Sequence, residues 1–119
     1  MTRSSPRVRV RRIYEDTSPD DGTRVLVDRL WPRGVRKADA HLDEWCKEVA
    51  PSPELRKWYD HDPDRFDEFS RRYRSELDDG EQADALSHLR DLADDGTVTL
   101  LTATKDPDIS AATVLAPEV

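Results

Sequence analysis

The chain has 119 residues, which is enough for one small domain, 1–119, with a modest hydrophobic core. It carries 26 acidic against 19 basic residues and one cysteine, Cys46, so an internal disulfide and a multi-cysteine metal site are both excluded. No stretch approaches the roughly 18 apolar residues of a membrane span, and no apolar signal segment follows the N-terminal arginines, so the sequence predicts a cytoplasmic protein without a membrane partner.

The charge is distributed unevenly along the chain. Residues 1–37 hold 10 basic and 5 acidic groups, net +5, whereas residues 38–119 hold 9 basic and 21 acidic groups, net −12. The 18 Asp and only 4 Lys are typical of a halophilic protein, because a hydrated acidic surface keeps a protein soluble in salt. A GC-rich genome also favours Arg and Asp, so both explanations stay open. The acidity argues against non-specific nucleic-acid binding and leaves room for a local basic site.

Two strands are predicted near the start of the chain, after a frayed segment at residues 1–6. Valines alternate with arginines over 7–14, which predicts a strand with one polar face. The composition of 15–22 predicts a loop, and the apolar run that follows predicts a buried, central strand over 23–28. Because a loop connects the two strands, the orientation of the first strand is open, and an antiparallel arrangement is allowed.

Helical patterns fill the middle of the chain. Apolar residues recur at three- and four-residue spacing, and Ser52-Pro53 and Asp62-Pro63 are start signals in which a capping side chain precedes a proline. The predicted helices span 39–49, with Asp39 as its cap, and 53–60, 63–78 and 81–94.

A strand and a helix complete the predicted fold. The apolar run over 97–103 predicts a strand, and Asp106-Pro107 predicts the cap and first turn of a helix that reaches Leu115. The long helical stretches between the strands favour parallel pairing of 23–28 with 97–103. The predicted class is therefore α/β: a small, mostly parallel sheet of three to four strands, covered by helices, in a single layered domain.

Basic residues follow both of the strands that we expect to be parallel. Arg29, Arg33 and Lys37 come after strand 23–28, and Lys105 comes after the last strand. The carboxyl ends of parallel strands share one edge of a sheet, where α/β proteins bind ligands. Two arginines suit a phosphate or carboxylate group. We therefore predict a site for a small anionic ligand at this edge.

Neighbouring residues complete the predicted site. Gly34 lets the backbone approach a ligand closely, and Trp31 walls the pocket. Asp106 orients Lys105 or caps the helix that begins at Pro107, whose backbone N–H groups would add donors. The segment lacks the glycine-rich pattern of a phosphate loop, so the prediction depends on the charges and their position.

Three other interpretations stay open. Arg29 pairs with a nearby aspartate and the segment is only a structured turn, the candidates being Asp28, Asp39 and Asp106. Alternatively, the chain is a protein-interaction module, for which the mark would be an exposed apolar patch containing Trp31, Trp45 or Trp58. In the third, the arginines of strand 7–12 contact nucleic acid, an interpretation that the acidity of the chain disfavours.

Catalysis is not indicated by any strong motif, and whether the protein is an enzyme stays open. Asp28 and His61, which lies between two aspartates, are weak candidates for carrying a proton. Cys46 lies on the apolar face of its predicted helix, as a structural thiol does. A metal site of histidines would require three unrelated elements to converge, so no metal and no cofactor is predicted.

Three segments of the chain resemble a known family. They are Arg24–Lys37 (RVLVDRLWPRGVRK), Leu42–Trp58 (LDEWCKEVAPSPELRKW) and Val98–Asp106 (VTLLTATKD). On these segments the chain resembles the YeaO-like family, catalogued as domain of unknown function 488, from about residue 7 to residue 116. The resemblance implies a small α/β domain with no established activity.

The resemblance also implies which positions belong to the family's motif. They are Asp28, Arg29, Trp31, Pro32, Arg33, Gly34, Trp45, Pro51, Leu55, Arg56, Lys57, Lys105 and Asp106. Members commonly carry a polar stretch, often with His or Asn, after the Lys-Asp pair, whereas this chain reads Pro-Asp-Ile-Ser-Ala over 107–111. This departure argues against a catalytic imidazole there. The family does not require a cysteine at Cys46, which favours its structural interpretation.

Overall fold

A four-stranded parallel sheet forms the centre of residues 8–119, the part of the chain that the computed structural model describes. The strands are β1 (Val8–Arg12), β2 (Thr23–Leu26), β3 (Glu44–Trp45) and β4 (Val98–Thr102), and their order across the sheet is β1-β4-β2-β3. The α/β class and the parallel pairing of β2 with β4 are therefore confirmed. The predicted frayed start, 1–6, lies outside the described residues.

Most of the helices pack on one side of this sheet. The structure contains α1 (Lys37–Ala40), α2 (Pro53–Tyr59), α3 (Phe66–Glu76), α4 (Gly80–Asp95) and α5 (Ala111–Leu115). The two predicted helix starts are confirmed by their caps. The Oγ of Ser52 accepts a hydrogen bond from the backbone N–H of Leu55 at 3.2 Å, and an Oδ of Asp62 accepts one from the backbone N–H of Asp64 at 3.0 Å.

Each side of the sheet buries its own apolar cluster. On the helical side, alternate strand residues pack against the aromatic stripe of α3 and against α4 and α5. This cluster includes Val25, Val98 and Leu100 from the strands and Phe69, Tyr73 and Leu89 from the helices. On the other side, a smaller cluster contains Ile13, Leu26, Ala40 and Leu101, with Trp31 and Trp45 packed against it. Short irregular segments, not long helices, cover this second side.

The first strand is parallel to its neighbour, so the antiparallel alternative is wrong. Because β4 lies between β1 and β2, the connection 13–22 has to cross β4 to reach the start of β2. The Oγ1 of Thr99, the second residue of β4, donates to the backbone carbonyl of Asp21 at 2.7 Å. Gly22, with φ 63°, ends the crossing where an added Cβ would lie 2.1 Å from the carbonyl oxygen of Thr97. Only glycine fits this approach.

The predicted helix over 39–49 is wrong. The chain there forms α1, the short strand β3 and a 3₁₀ turn, and Asp39 lies inside α1 instead of capping a helix. The apolar spacing of this segment fits a helix. In the structure, however, the half-buried Trp45 packs on the second side of the sheet and the buried Cys46 packs on the helical side. This alternation is that of a strand, and the N–H of Cys46 donates to the carbonyl of Leu26 at 2.8 Å.

The last predicted helix is divided in two. A 3₁₀ turn, Pro107–Ile109, precedes α5, and Ser110 caps α5 by accepting a hydrogen bond from the N–H of Thr113 at 3.3 Å. The backbone carbonyl of Asp106 accepts from the N–H of Ile109 at 3.2 Å. The continuous helix that was expected to offer N–H donors at Pro107 is therefore not formed.

Candidate functional site

A cleft of about 1160 Å³ opens at the edge of the sheet where β2 and β4 end. Its walls come from the segment that follows β2, from α2 and the turn after it, and from the segment that follows β4. Arg29, Arg33 and Lys105, the three cations expected to hold an anion, all line this sheet-edge cleft. The parallel register that pairs β2 with β4 is what brings these distant residues to one place.

Asp28 joins the two strand ends beneath the cleft. One of its oxygens accepts from the Oγ1 of Thr102 at 2.8 Å, and the other accepts from the backbone N–H of Ala103 at 2.8 Å. Burial raises the pKa of Asp28; these hydrogen bonds and the nearby charges of Arg56 and His61 oppose the rise without cancelling it. Both oxygens of this carboxylate are therefore engaged in holding the floor of the site.

Arg29 lies half-buried and is held by backbone oxygens. Its Nη2 donates to the carbonyl of Ala50 at 3.1 Å, and its Nε and Nη2 both lie 3.4 Å from the carbonyl of Pro51. Among residues 8–119 it forms no ion pair, so its predicted alternative partners Asp28, Asp39 and Asp106 do not neutralise it. Carbonyl oxygens orient the guanidinium, and its charge stays uncompensated by a carboxylate.

The cleft collects basic side chains that have no carboxylate partner. They are Arg29, Arg33, Arg56, Lys57 and Lys105, and none of them forms an ion pair with any carboxylate in the described part of the chain. Outside the cleft, ion pairs are made by eight arginines: Arg9, Arg11, Arg24, Arg36, Arg65, Arg71, Arg72 and Arg74. In a chain of net charge −7, unpaired cations grouped in one concave place are a distinct feature.

The other predicted site residues divide between the cleft and its surroundings. Trp31 and Asp106 line the cleft, and the indole N–H of Trp31 donates to the carbonyl of Val35 at 2.7 Å. Gly34 and Lys37 are not part of its lining. Gly34 has φ 75° with nothing within 4 Å of an added Cβ, and it borders a smaller cleft of about 390 Å³. Its left-handed backbone accounts for the glycine.

His61 belongs to a turn in a less common backbone conformation. Asp60, which ends α2, has φ 47°, and His61 has φ 54°, so two consecutive side-chain-bearing residues are left-handed. A single left-handed residue is common where a helix ends, and the second is unusual. Both residues line the cleft and are exposed. The imidazole is therefore present at the rim of the site.

Many lining residues lie outside the set that the charge pattern predicted, and four of them are basic or large exposed apolar side chains. Arg56 and Lys57 are on α2, and only the family resemblance pointed to them. Tyr14 and Leu30 also line the cleft, and no motif marked either of them. Helix α2 begins at Pro53, which itself lines the cleft, and its next turn brings the two cations there.

Cys46 is a structural thiol, as expected. It is 4% exposed, and burial, with the negative charges of Glu44 and Glu48, raises its pKa to about 11. The three tryptophans are half-buried in two separate places: Trp31 packs edge-on against Trp45 with ring centroids 5.3 Å apart, while Trp58 adjoins the helical cluster. They do not form one exposed apolar patch.

The fold and site define a small α/β protein whose cleft, at the carboxyl ends of its parallel strands, is lined among the described residues by five basic and four acidic side chains. Residues 7–119 match the model of a family described as the inactive DUF488-N3 subclade, and the chain belongs to that family. It is 41% identical over 109 residues to the uncharacterised protein YeaO of Escherichia coli K12, covering 92% of this chain and 93% of that protein. The resemblance to the YeaO-like family is thus confirmed.

Mycobacterial proteins are also similar to this chain. An uncharacterised protein of Mycobacterium tuberculosis (strain H37Rv) is 57% identical over 110 residues, covering 92% of this chain and 91% of that protein. An uncharacterised protein of Mycobacterium bovis matches to the same extent. No solved structure matches. Within residues 8–119, no helix has both the length and the apolar character needed to cross a bilayer.

Proposed function

We propose that the protein binds a small anion bearing a phosphate or carboxylate group in the sheet-edge cleft, through Arg29, Arg33 and Lys105. The observation that carries this proposal is the grouping of five basic side chains without carboxylate partners, in a chain that has an excess of carboxylates. Such an arrangement raises the local positive potential, and an entering anion would lower it.

Arg29 is the centre of the proposed site. Carbonyl groups fix its Nε and Nη2 atoms, while Nη1 has no hydrogen-bond partner among the described residues. A guanidinium held in this way needs little reordering to bind an oxyanion. Lys105 and Arg33 are exposed and would add charge from two other segments. Arg56 and Lys57 would supplement them from α2.

We further propose that the site binds its ligand without changing it chemically. The subclade is described as inactive. Both oxygens of Asp28, one of the two candidate proton carriers, already accept hydrogen bonds from the end of β4. The remaining candidate, His61, lies at the exposed rim, and an imidazole without a positioned nucleophile is weak support for catalysis.

Isothermal titration calorimetry with inorganic phosphate, sulfate and citrate tests anion binding. Titrations at matched ionic strength separate specific binding from screening by salt. We expect heat of binding with at least one of the three anions, and a thermal shift that grows with anion concentration. Lys105→Ala and Arg33→Ala should each weaken binding by about tenfold, as removal of a charged hydrogen bond typically does.

Lys47→Ala and Arg36→Ala are matched controls for these variants. Both residues are exposed and lie outside the cleft, so each control changes the net charge equally without touching the site. They should bind as the wild type does. Equal weakening by the control variants, or no heat with any anion, would contradict the proposal. ³¹P NMR of an unchanged phosphate ester after incubation would support binding without turnover.

The acidity of the chain also bears on the medium in which the protein works. We propose that it is a single domain that works in a salt-rich cytoplasm, where its acidic surface stays hydrated. All of the excess negative charge lies beyond residue 37. Raising KCl from about 0.1 to 1 M shortens the screening length from about 10 to 3 Å, so the melting temperature should rise. A melting temperature that falls with KCl would contradict halophily.

A further inference from the structure

Two large apolar side chains in the described part of the chain are strongly exposed, and both line the sheet-edge cleft. Tyr14 is 47% exposed and Leu30 is 64% exposed. They come from different segments, one after β1 and the other after β2. The unpaired cations and this exposed apolar surface are independent observations, and they meet in the same cleft.

The apolar and cationic groups are interleaved. Leu30 follows Arg29 directly in the chain. The hydroxyl of Tyr14 donates to the backbone carbonyl of Arg33 at 3.3 Å, which ties the tyrosine to the segment that carries this cation. The guanidinium of Arg12 lies 5.0 Å from the centroid of the Tyr14 ring. Tyr14 and Leu30 therefore border the same cleft as the cations.

The size of the cleft supports a ligand larger than an inorganic anion. Its volume of about 1160 Å³ is well above that of a phosphate or sulfate ion. Pockets of roughly 300–1,000 Å³ hold molecules the size of a drug or a nucleotide. An inorganic anion would occupy only the basic part and leave Tyr14 and Leu30 in water.

We propose that the ligand is an aryl or nucleoside phosphate, whose phosphate lies among the cations while its aromatic group lies against Tyr14 and Leu30. The inference rests on the proposed anion binding and adds the class of ligand. A flat ring suits this surface because stacking on tyrosine tolerates many ring systems, and a leucine covers the ring without a competing polar group. Such a ligand would cover the two apolar side chains that the free protein exposes.

Calorimetric affinities for five probes test this inference. They are inorganic phosphate, methyl phosphate, n-hexyl phosphate, phenyl phosphate and AMP, in the same buffer and ionic strength. We expect phenyl phosphate and AMP to bind at least about tenfold more tightly than methyl phosphate, since ring stacking commonly contributes that much. The affinity of hexyl phosphate should exceed that of methyl phosphate by clearly less than the affinity of phenyl phosphate does.

Variants of Tyr14 and Leu30 test whether these two side chains cause the higher affinity for phenyl phosphate. Leu30→Ala and Tyr14→Ala should each remove most of the gain in affinity of phenyl over methyl phosphate, and Leu30→Ala should leave the affinity for inorganic phosphate unchanged. Tyr14→Phe is the matched control, because it keeps the ring and loses only the hydrogen bond to the Arg33 carbonyl; it should keep the gain. Leu30 is in an exposed segment, so Leu30→Ala provides the test if Tyr14→Ala fails to fold.

The outcomes separate this inference from the proposed function. If inorganic phosphate binds and phenyl phosphate binds no more tightly, the aromatic ligand is wrong and anion binding stands. If hexyl phosphate equals phenyl phosphate, or if Leu30→Ala and Tyr14→Ala leave the gain intact, the inference is also overturned. If none of the phosphates binds, both proposals fail.

Discussion

Arginines serve opposite purposes in two regions of the chain. On the second side of the sheet, Arg9, Arg11 and Arg24 surround the carboxylate of Asp21, which is 1% exposed. At the sheet-edge cleft, five basic side chains line one concavity and none has a carboxylate partner among the described residues. In the first group, the Asp21 cluster, each arginine lies within 2.5–3.7 Å of the Asp21 carboxylate, whereas no cation of the second group has a carboxylate partner in the described part of the chain.

The difference follows from what each group has to hold in place. The Asp21 cluster attaches the crossing segment 13–22 to the sheet, and Arg24 donates to Asp21 at 2.5 Å and to the carbonyl of His41 at 2.9 Å. Burial opposes ionisation of Asp21, but the N–H of Ser18 and the charge of Arg24 outweigh it and lower its pKa. The charges of the Asp21 cluster hold the crossing segment in place, whereas the cations of the cleft have no carboxylate partner within residues 8–119 and are the groups through which we propose that a ligand binds.

Removing Asp21 should have the largest effect on stability. Asp21→Ala leaves the guanidinium of Arg24 buried without its counter-charge, so we expect a loss of about 3–5 kcal/mol in the free energy of unfolding. Urea denaturation measures it. Asp20→Ala, an exposed carboxylate in the same turn, is the control and should change stability by less than about 0.5 kcal/mol. A small loss for Asp21→Ala would show that the cluster is not needed to hold the crossing.

Arg29→Ala should have the next largest effect, because Arg29 has a structural contact as well as an unpaired charge. Its loss leaves the carbonyl of Pro51 without this donor, while Gln82 still donates to the carbonyl of Ala50 at 2.9 Å. We expect a loss of about 2 kcal/mol by urea denaturation. Gln82→Ala is the comparison, and it should affect stability without affecting anion affinity. If Arg29→Ala changes neither the free energy of unfolding nor the anion affinity, Arg29 is no part of the site.

Two features of the fold and site were predictable because local patterns carried them. Short apolar runs flanked by breaks gave β2 and β4, and their parallel pairing placed the residues that follow them at one edge. Arg29 and Lys105 meet for that reason. Hydroxyl- or carboxyl-proline pairs gave the starts of α2 and of the turn before α3, since these signals act within three residues.

Other features depend on contacts distant in sequence. Leu42, Trp45, Cys46 and Val49 fit a helix as well as a strand, and only the free edge of β2 decides between the two. The arginines of β1 were expected on a polar face, but their partner is a crossing loop whose path no local pattern encodes. Gly34 and Lys37 follow the cations in sequence, yet this part of the chain turns toward the second side of the sheet, where Val35 packs.

Asp28→Asn should have a smaller effect that depends on pH. An amide accepts at one oxygen only, so we expect a loss of about 1 kcal/mol near pH 4. Because the pKa of Asp28 is raised, its stabilising contribution is complete below the ordinary aspartate pKa of about 3.9 and is lost as the pH rises through the raised value. The disadvantage of the variant should therefore shrink toward pH 7. Urea denaturation at the two pH values measures it, and a growing disadvantage would contradict the raised pKa.

Lys105→Ala and Arg33→Ala should have the smallest effects on stability. Neither side chain forms an ion pair within residues 8–119, so we expect changes of less than about 0.5 kcal/mol in the free energy of unfolding without ligand. A slight gain is consistent as well, because removing one cation relieves repulsion among the others. With phosphate present, the wild type should be the more stable, since a bound ligand stabilises the folded state. Loss of more than about 1 kcal/mol without ligand would show that these cations hold the fold together, as Arg24 does.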